Sequence, residues 1–366
     1  MKFICERSIL LKEISIANEI IASKNIISIL SNVYLEACEG FLIIKATDMK
    51  VNFETKIPVD VIDSGSVTVY GDKFLGTLNS FPEGDIEFET NDAKMYIKTK
   101  VKKVQVQLKS IASDKFPEFT ASAKDSFEIP IRDFKDMIEE TIFAISDDET
   151  RYFMNGIFFE KADNKFIMVA TDGRRLAYVN KEANTGIDDF SGIIIPPKIL
   201  NIVVKRAGDE GMAEISITDK TIFIQFGSYK LSSVLIEGQF PNYRRVIPEN
   251  QINSFIVNRL EMLDAIKRVS LYVEKNSHRV YMGLSSGVVS VFCEENDMGN
   301  AREEIQCKYE GEEVSIALNY RYLEEPFKVM KEDEVCLLFT EPSKTITIKP
   351  VPEKDFFHIV MPMQQD

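Results

Sequence analysis

The 366-residue chain is expected to fold as an α+β protein of three similar domains, and three observations lead there. Ala170-Thr171-Asp172-Gly173 repeats Ala46-Thr47-Asp48-Met49 at an offset of 124 residues. Gln239-Phe240-Pro241-Asn242-Tyr243 repeats Lys115-Phe116-Pro117-Glu118-Phe119 at the same offset. Three short apolar openings, Phe3-Ile4-Cys5, Phe127-Glu128-Ile129 and Phe255-Ile256-Val257, each precede a segment of helical periodicity. A long period in a chain too long for one ordinary core marks repeated domains. Divisions near residues 123 and 252 give domains 1–122, 123–252 and 253–366.

Taken in order, each unit opens with a strand and then an amphipathic helix. In the second unit Ile131, Phe134, Ile138, Ile142 and Ile145 make one apolar stripe, away from Asp133, Asp136, Glu139 and Glu140. Leu260, Leu263, Ile266 and Val269 do the same in the third. Strands follow, among them 41–47, 166–171 and 288–293, then a second helix around 72–80, 197–206 and 319–330. Pro197 sits near a helix start, where its missing N–H costs nothing. Pro326 lies inside the third of these helices and predicts a kink or an early break. Further strands close each unit, so each half-unit reads as an antiparallel sheet carrying one helix on its inner face. No linker is rich in Gly or Ser, which predicts rigidly placed domains.

One turn stands out. A strand ends at Ala170, Thr171-Asp172-Gly173 turn the chain, and a new strand begins at Leu176. Asp bonds its own backbone and Gly accepts positive φ, so both suit the turn. Arg174 and Arg175 at its mouth are less ordinary, because a strand end rarely needs two arginines for folding.

Composition narrows the functions. A hydrophobic fraction of 45% and a charged fraction of 28% suit a soluble globular protein, and no apolar run is long enough to span a membrane. The charged opening predicts no secretory signal, and five scattered cysteines predict reduced thiols and a cytoplasmic location. Only His278 and His358 occur, so neither a metal site nor a His-based catalytic site is expected, and no cofactor is implied. A net charge of −14 argues against tight nucleic-acid binding by the surface as a whole, but leaves room for a local basic lining.

Similar rigid domains in series form an arc whose ends can meet in a second copy. Late in the first unit Lys98, Lys100, Lys102, Lys103 and Lys109 alternate with Val101, Val104, Val106 and Leu108. In the third, Glu294, Glu295, Asp297, Glu303 and Glu304 cluster near Leu271 and Tyr272. Opposite charges on two strand edges would steer head-to-tail pairing, although two solvated edges read equally well.

Together these residues resemble the bacterial β sliding clamp family, the processivity subunits of DNA polymerase III. The resemblance is carried by Arg151-Tyr152-Phe153-Met154-Asn155-Gly156, by Ala170–Ala177, by Phe240-Pro241-Asn242-Tyr243-Arg244-Arg245-Val246, and by the closing Val360-Met361-Pro362-Met363. It implies a DNA clamp fold: three domains with sheets outside and two helices inside, closing as a homodimer into a six-domain ring around double-stranded DNA. It implies no catalysis. The expected partners are DNA of any sequence, the polymerase III alpha subunit, an ATP-driven clamp loader, and other polymerases and repair proteins.

The resemblance also implies sites. DNA-facing residues would be Lys24, Lys73, Arg151, Tyr152, Lys198 and Arg206. The dimer interface would use Lys103, Leu108, Leu271, Tyr272, Glu303 and Glu304. A partner peptide would enter a cleft formed by Met154, Thr171, Gly173, Arg174, Arg175, Leu176, Pro241, Arg245, Val246, Thr345, Val360, Met361, Pro362 and Met363. There, Leu, Val, Met and Pro give an apolar slot, methionines adapt to varied ligands, and the arginines rim it. The tail is expected to fold back over the slot. Arg174 and Met154 stand where His and Leu are common in the family, which shifts peptide preference.

Two other readings exist. An enzyme using Asp48 and Asp172 as a carboxylate pair lacks any accompanying phosphate loop, metal-ligand spacing or Ser–His arrangement. A monomeric three-domain protein-interaction scaffold that never encircles DNA is the remaining alternative.

Overall fold

In the computed structural model the described residues are 1–21, 28–99, 104–120, 125–183 and 186–364. Each repeat follows the expected order of strand, helix, strands, helix, strands. The first contains β1 (Lys2–Glu6), α1 (Arg7–Ile20), β2 (Asn32–Cys38), β3 (Phe41–Thr47), β4 (Val51–Pro58), β5 (Asp60–Asp63), β6 (Gly65–Tyr70), α2 (Gly71–Ser80), β7 (Asp85–Asn91), β8 (Lys94–Thr99) and β9 (Gln105–Ile111). The second contains β10 (Ser126–Pro130), α3 (Ile131–Glu139), β11 (Ile157–Ala162), β12 (Lys165–Thr171), β13 (Arg175–Glu182), β14 (Phe190–Ile195), α4 (Pro197–Arg206), β15 (Met212–Ile217), β16 (Thr221–Phe226) and β17 (Tyr229–Val234). The third contains β18 (Asn253–Asn258), α5 (Arg259–Ser270), β19 (Arg279–Ser285), β20 (Val288–Asn296), β21 (Gly299–Lys308), β22 (Val314–Asn319), α6 (Tyr320–Val329), β23 (Glu334–Phe339), β24 (Ile346–Val351) and β25 (Phe356–Val360).

The repeats are not the compact bodies. One unit comprises Met1–Phe134 with Lys198–Leu235, and the other Lys135–Pro197 with Ile236–Asp366. The first holds a 13-stranded antiparallel sheet in the order β10-β15-β16-β17-β4-β3-β2-β6-β9-β8-β7-β1-β5. The second holds a 12-stranded sheet, β14-β11-β12-β13-β25-β24-β23-β18-β21-β20-β19-β22. The middle repeat is therefore shared between the two sheets. It joins the first repeat through β4–β17 and the third through β13–β25.

Alternating strands put Phe3, Phe53 and Phe88 into the core of the first unit beside Leu10 and Ile14 of α1 and Phe74 of α2. Strand residues Phe159, Phe166, Phe255 and Phe339 fill the core of the second unit, with Phe327 of α6. Each such ring stabilises its unit by about 1.5–3 kcal/mol through burial. Asn258 caps α5, its side-chain oxygen accepting from the N–H of Leu260 and Glu261 at 3.0 and 3.1 Å. Asn319 caps α6, its side-chain oxygen accepting from the N–H of Arg321 at 3.0 Å.

Three local expectations need correction. The α-helix of the second repeat ends at Glu139, and 142–144 form a separate 3-10 turn. The Thr141 hydroxyl donates back to the Met137 carbonyl at 2.7 Å, a local bond that competes with helix continuation. Leu260 lies outside the buried stripe of α5, 53% exposed, and Met262 and Ala265 take its place beside Leu263, Ile266 and Val269. Pro326 does not end α6. The helix runs on to Val329, and the Met330 N–H bonds the Pro326 carbonyl. Among the described residues no helix is long and apolar enough to cross a membrane.

Candidate functional site

The second unit builds its site on the turn between β12 and β13. Asp172 Oδ1 accepts from the backbone N–H of Arg174 and Arg175 at 2.9 and 3.1 Å, and Thr171 Oγ1 accepts from Gly173 at 3.1 Å. Gly173 has φ +85°, and a Cβ there would lie 2.9 Å from Arg151 Nη1. The positive φ therefore favours glycine, while the Arg151 side chain end could shift to make room for a Cβ.

Past the turn, strand pairing sets a row of rungs. Leu176 lies opposite Thr171 on β12 and Ile359 on β25, and Tyr178 lies opposite Val169 and Phe357. Leu176, Ile359, Ile167, Val169 and Ile194 cluster with Phe240 and Tyr243, while Tyr178, Phe357, Phe153 and Phe158 pack against them. Tyr178 stacks on Phe357 at 4.7 Å, and Phe158 on Phe240 at 4.8 Å. The Tyr243 hydroxyl donates to Glu160 at 2.6 Å, a carboxylate that Arg244 also reaches. This aromatic wall was missed in the site reading of the sequence. Its signal lies in Phe240-Pro241-Asn242-Tyr243, which the sequence offers as a repeat marker and a family motif and not as a source of aromatic site residues.

The tail is tied down. After β25, the Met361 N–H bonds the Arg174 carbonyl at 2.9 Å and the Met363 N–H bonds the Ala317 carbonyl at 2.8 Å. Met361 and Val246 leave apolar side chains about half exposed at the cluster's margin, and Arg174 and Arg245 are exposed. Pro241, Thr345, Pro362 and Met363 are half-buried, whereas Met154 and Val360 are buried. The Thr345 carbonyl accepts from Gln251 at 2.9 Å.

Arg175 does not rim the slot. Alternation along β13 sends it to the face opposite Leu176, where Nε meets Asp172 Oδ2 at 3.0 Å and Nη2 reaches the Phe143 carbonyl at 2.5 Å. Its guanidinium sits 4.7 Å from the Tyr322 ring. Below it lies His358, 1% exposed, with neither ring nitrogen hydrogen-bonded. Burial, with the Arg175 charge, pulls this imidazole down to a pKa of about 3, so it is neutral.

The residues expected to face DNA fall in different settings. Lys24 lies outside the described residues. In the second unit Arg151 sits against the Gly173 turn with Nε on Asp148 at 2.9 Å, and Tyr152 is 53% exposed. In the first unit Lys73 is exposed on α2. Lys198 is engaged internally, donating to the Ile20 carbonyl at 2.8 Å and to Asp48 at 2.6 Å. Arg206 donates to the Lys12 carbonyl, and Lys205 to Glu19 at 2.6 Å, so the basic face of α4 is bound to α1.

Of the expected interface residues, Lys103 lies outside the described residues. Residues 105–109 of β9, with half-buried Leu108, pair with β8 only, and β6 bonds the strand just at Ser110 and Ile111. In the second unit β21 pairs with β20 along its length and with β18 only at Cys307 and Lys308. Among the described residues each strand thus leaves a run of backbone without a second partner strand. Glu303, on β21, holds Arg268 through two bonds of 2.8 and 2.5 Å, and Glu304 lies 3.3 Å from Arg302. Leu271, Tyr272 and Met298 are exposed. Among the described residues no group of three or more His, Cys, Asp or Glu could hold a metal ion.

Comparison with known proteins gives these features a family. The N-terminal, central and C-terminal domain models of the DNA polymerase III beta subunit match residues 1–120, 128–242 and 244–364. The chain is 45% identical to the beta sliding clamp of Treponema pallidum over the whole of both chains, and 30% identical to that of Rickettsia bellii, again over both. The structure resembles the sliding clamp (DNA polymerase III subunit beta) of Bartonella birtlesii, solved bound to griselimycin, with a TM-score of 0.92 at 28% identity and full coverage of both chains. Three domain models in order and a close relative matched end to end make this chain a member of the DNA polymerase III beta subunit family.

Proposed function

We propose that the chain is a processivity factor, a sliding clamp that tethers the replicative DNA polymerase to duplex DNA as a head-to-tail homodimeric ring. The observation that carries this reading is the end-to-end 45% identity to a beta sliding clamp. Its role is tethering, and no step of catalysis is involved. The clamp domains in this reading are 1–122, 123–252 and 253–366, and the protein works in the cytoplasm.

The physics supports it. A closed ring holds DNA by topology, so its contacts can be weak and blind to sequence, which reconciles a DNA-handling role with a charge of −14. Among the described residues Lys73, Arg151 and Tyr152 are the cationic and aromatic candidates for the duplex, and Lys24 is a candidate from the sequence alone. Lys198 and Arg206 contribute less, because their charges are already engaged. The runs of β9 and β21 that lack a second partner strand among the described residues, with Leu108 on one and Glu303, Glu304, Leu271 and Tyr272 on or beside the other, suit strand-to-strand pairing between two copies, and Lys103 is the basic candidate that the sequence adds.

The apolar slot suits a short peptide from the polymerase alpha subunit, the clamp loader, or other polymerases and repair proteins. Val246, Met361, Pro241, Pro362 and Met363 supply apolar surface, backed by the buried Leu176, Met154 and Val360. Arg174 and Arg245 offer donors to the peptide backbone, with Thr171, Gly173, Arg175 and Thr345 holding the frame. Light scattering tests the ring first. A species at twice the 41.7 kDa chain mass, retained by closed circular DNA after loading and lost on linearisation, supports it. A monomer at every salt concentration turns the reading to a protein-interaction scaffold.

A further inference from the structure

One carboxylate ties down the segment that carries two residues of the slot. Glu160 is 8% exposed, and its Oε1 accepts from the Tyr243 hydroxyl at 2.6 Å and from Arg244 Nη2 at 2.5 Å. Those donors sit on successive residues of a 3-10 turn, Tyr243–Val246, which ends in Arg245 and Val246. Among the described residues no other hydrogen bond joins residues 240–247 to the rest of the second unit. The bond from the Arg245 N–H to the Asn242 carbonyl, 3.3 Å, stays inside the segment. Packing places the rings, with Tyr243 centred 6.0 Å from both Phe158 and Tyr178. Apolar contact is non-directional, whereas the two bonds to Glu160 fix how the turn is rotated.

A carboxylate is costly in an apolar wall unless its partners are well placed. β11 pairs with β14 irregularly between Phe159 and Lys161, and Glu160 falls at that irregularity. It stays opposite Ile167 of β12, a member of the apolar cluster. Such irregularities re-aim a side chain. Burial and the bond to Glu160 push the Tyr243 hydroxyl well above its ordinary pKa, so it stays a donor.

The first unit keeps the frame of the slot and lacks this tie. There Asn52 lies opposite Ser232 where Leu176 meets Ile359, so an apolar rung has become polar. Glu36 stands 124 residues before Glu160, but its carboxylate accepts from Tyr34 of its own strand at 3.0 Å. Phe119 stands where Tyr243 does and has no hydroxyl to donate. The Tyr–Glu tie accompanies the apolar rung and not the polar one.

We propose that Glu160 is a positioning residue of the peptide slot: it sets the rotation of the Tyr243–Val246 turn and so holds Arg245 and Val246 toward the ligand. Buried as it is, it acts through the turn and not by contact. The inference rests on the slot being the site of partner binding.

The probe is the purified polymerase alpha subunit, its dissociation from the full chain followed by surface plasmon resonance. Tyr243→Phe keeps the ring and deletes only the donor, and Glu160→Leu deletes the acceptor. Each variant should release the subunit about tenfold faster, and the two together no faster than the worse of them. Glu160→Gln, whose amide oxygen still accepts, should recover most of the loss. In the free chain the Val246 methyl resonances should shift in both single variants, while those of Leu337, in the core of the same unit, stay in place. A wild-type rate in Tyr243→Phe, additive effects, no recovery by Gln, or an unmoved Val246 beside a faster rate would each overturn the assignment. Met361→Ser separates this inference from the slot itself. If it leaves the rate unchanged, the slot reading falls and the inference with it. If it speeds release and Tyr243→Phe does not, the inference alone falls.

Discussion

Two stretches of the chain invite comparison, Thr47–Glu54 with Lys230–Val234 and Thr171–Tyr178 with Phe357–Met361. Their backbones do the same things. In each, Asp Oδ1 accepts the N–H groups two and three residues on, at 2.9 and 2.7 Å for Asp48 and 2.9 and 3.1 Å for Asp172. In each, Thr Oγ1 accepts the N–H of a residue with positive φ, Met49 at 74° and Gly173 at 85°. What differs is the use of the remaining groups. Asp48 Oδ2 holds Lys198 of α4, whereas Asp172 Oδ2 holds the neighbouring Arg175. Burial works against the Asp48 carboxylate, but the Lys198 bond and two backbone N–H groups keep its pKa below the usual range. A turn that folds identically twice has thus been turned once into an internal brace and once into the mouth of an apolar slot.

The largest effect should come from erasing that difference. Giving the second unit the polar rung of the first, Leu176→Asn with Ile359→Ser, removes two apolar side chains worth about 1.5 kcal/mol each or more. Binding of a polymerase-derived peptide should weaken by roughly 100-fold, measured by fluorescence anisotropy at a temperature where melting shows the variant folded. The exposed Met361→Ser should cost about tenfold with no change in melting. If both variants bind as wild type, the slot is not the peptide site.

The next contrast lies under the slot. His358 occupies the rung where the first unit has Leu231. Its folded pKa, about 3, is far below the unfolded value near 6.5. The unfolded chain therefore binds a proton that the folded one refuses between those values. The neutral ring's contribution is intact above pH 6.5 and is lost as pH falls, by up to about 1.4 kcal/mol per pH unit. His358→Leu should melt higher, because an unbonded buried ring is replaced, and its advantage should widen by roughly 1 kcal/mol between pH 7 and pH 5.5. An advantage that stays constant across that range would mean the ring finds water or a proton in the fold.

These contrasts show what was legible in the residues. The fold class, the strand–helix order and the turn could be read because they rest on local chemistry: Thr-Asp-Gly, periodic apolar positions, a proline at a helix start. The slot's aromatic wall was not read. Tyr178, Phe357, Phe240 and Tyr243 come together only through β13–β25 pairing and a chain segment about sixty residues from Tyr178. Arg175 was misjudged for a related reason: side-chain alternation, counted from Leu176, puts it on the opposite face. The sharing of the middle repeat between two sheets left no local mark at all.

Gly173→Ala should cost about 1–2 kcal/mol in urea unfolding, since a Cβ there is strained by φ and meets the Arg151 side chain. A loss near zero would show that Arg151 swings away freely and that the φ is soft.

The mirror substitution tests the same frame from the other side and carries the smallest effect. Met49 holds φ 74° without being glycine, and 59% of its surface is exposed, so its side chain contributes little packing that would be lost. Met49→Gly relieves a left-handed conformation that costs an ordinary residue about 1–2 kcal/mol. It also frees the unfolded chain, which offsets about 0.5–1 kcal/mol of that gain. The balance is a stabilisation of about 0.5 kcal/mol, readable as a raised urea midpoint with unchanged slope. A lowered midpoint would mean that the Thr47 and Asp48 hydrogen bonds already compensate the strain at Met49, and that the two turns differ in energy as well as in use.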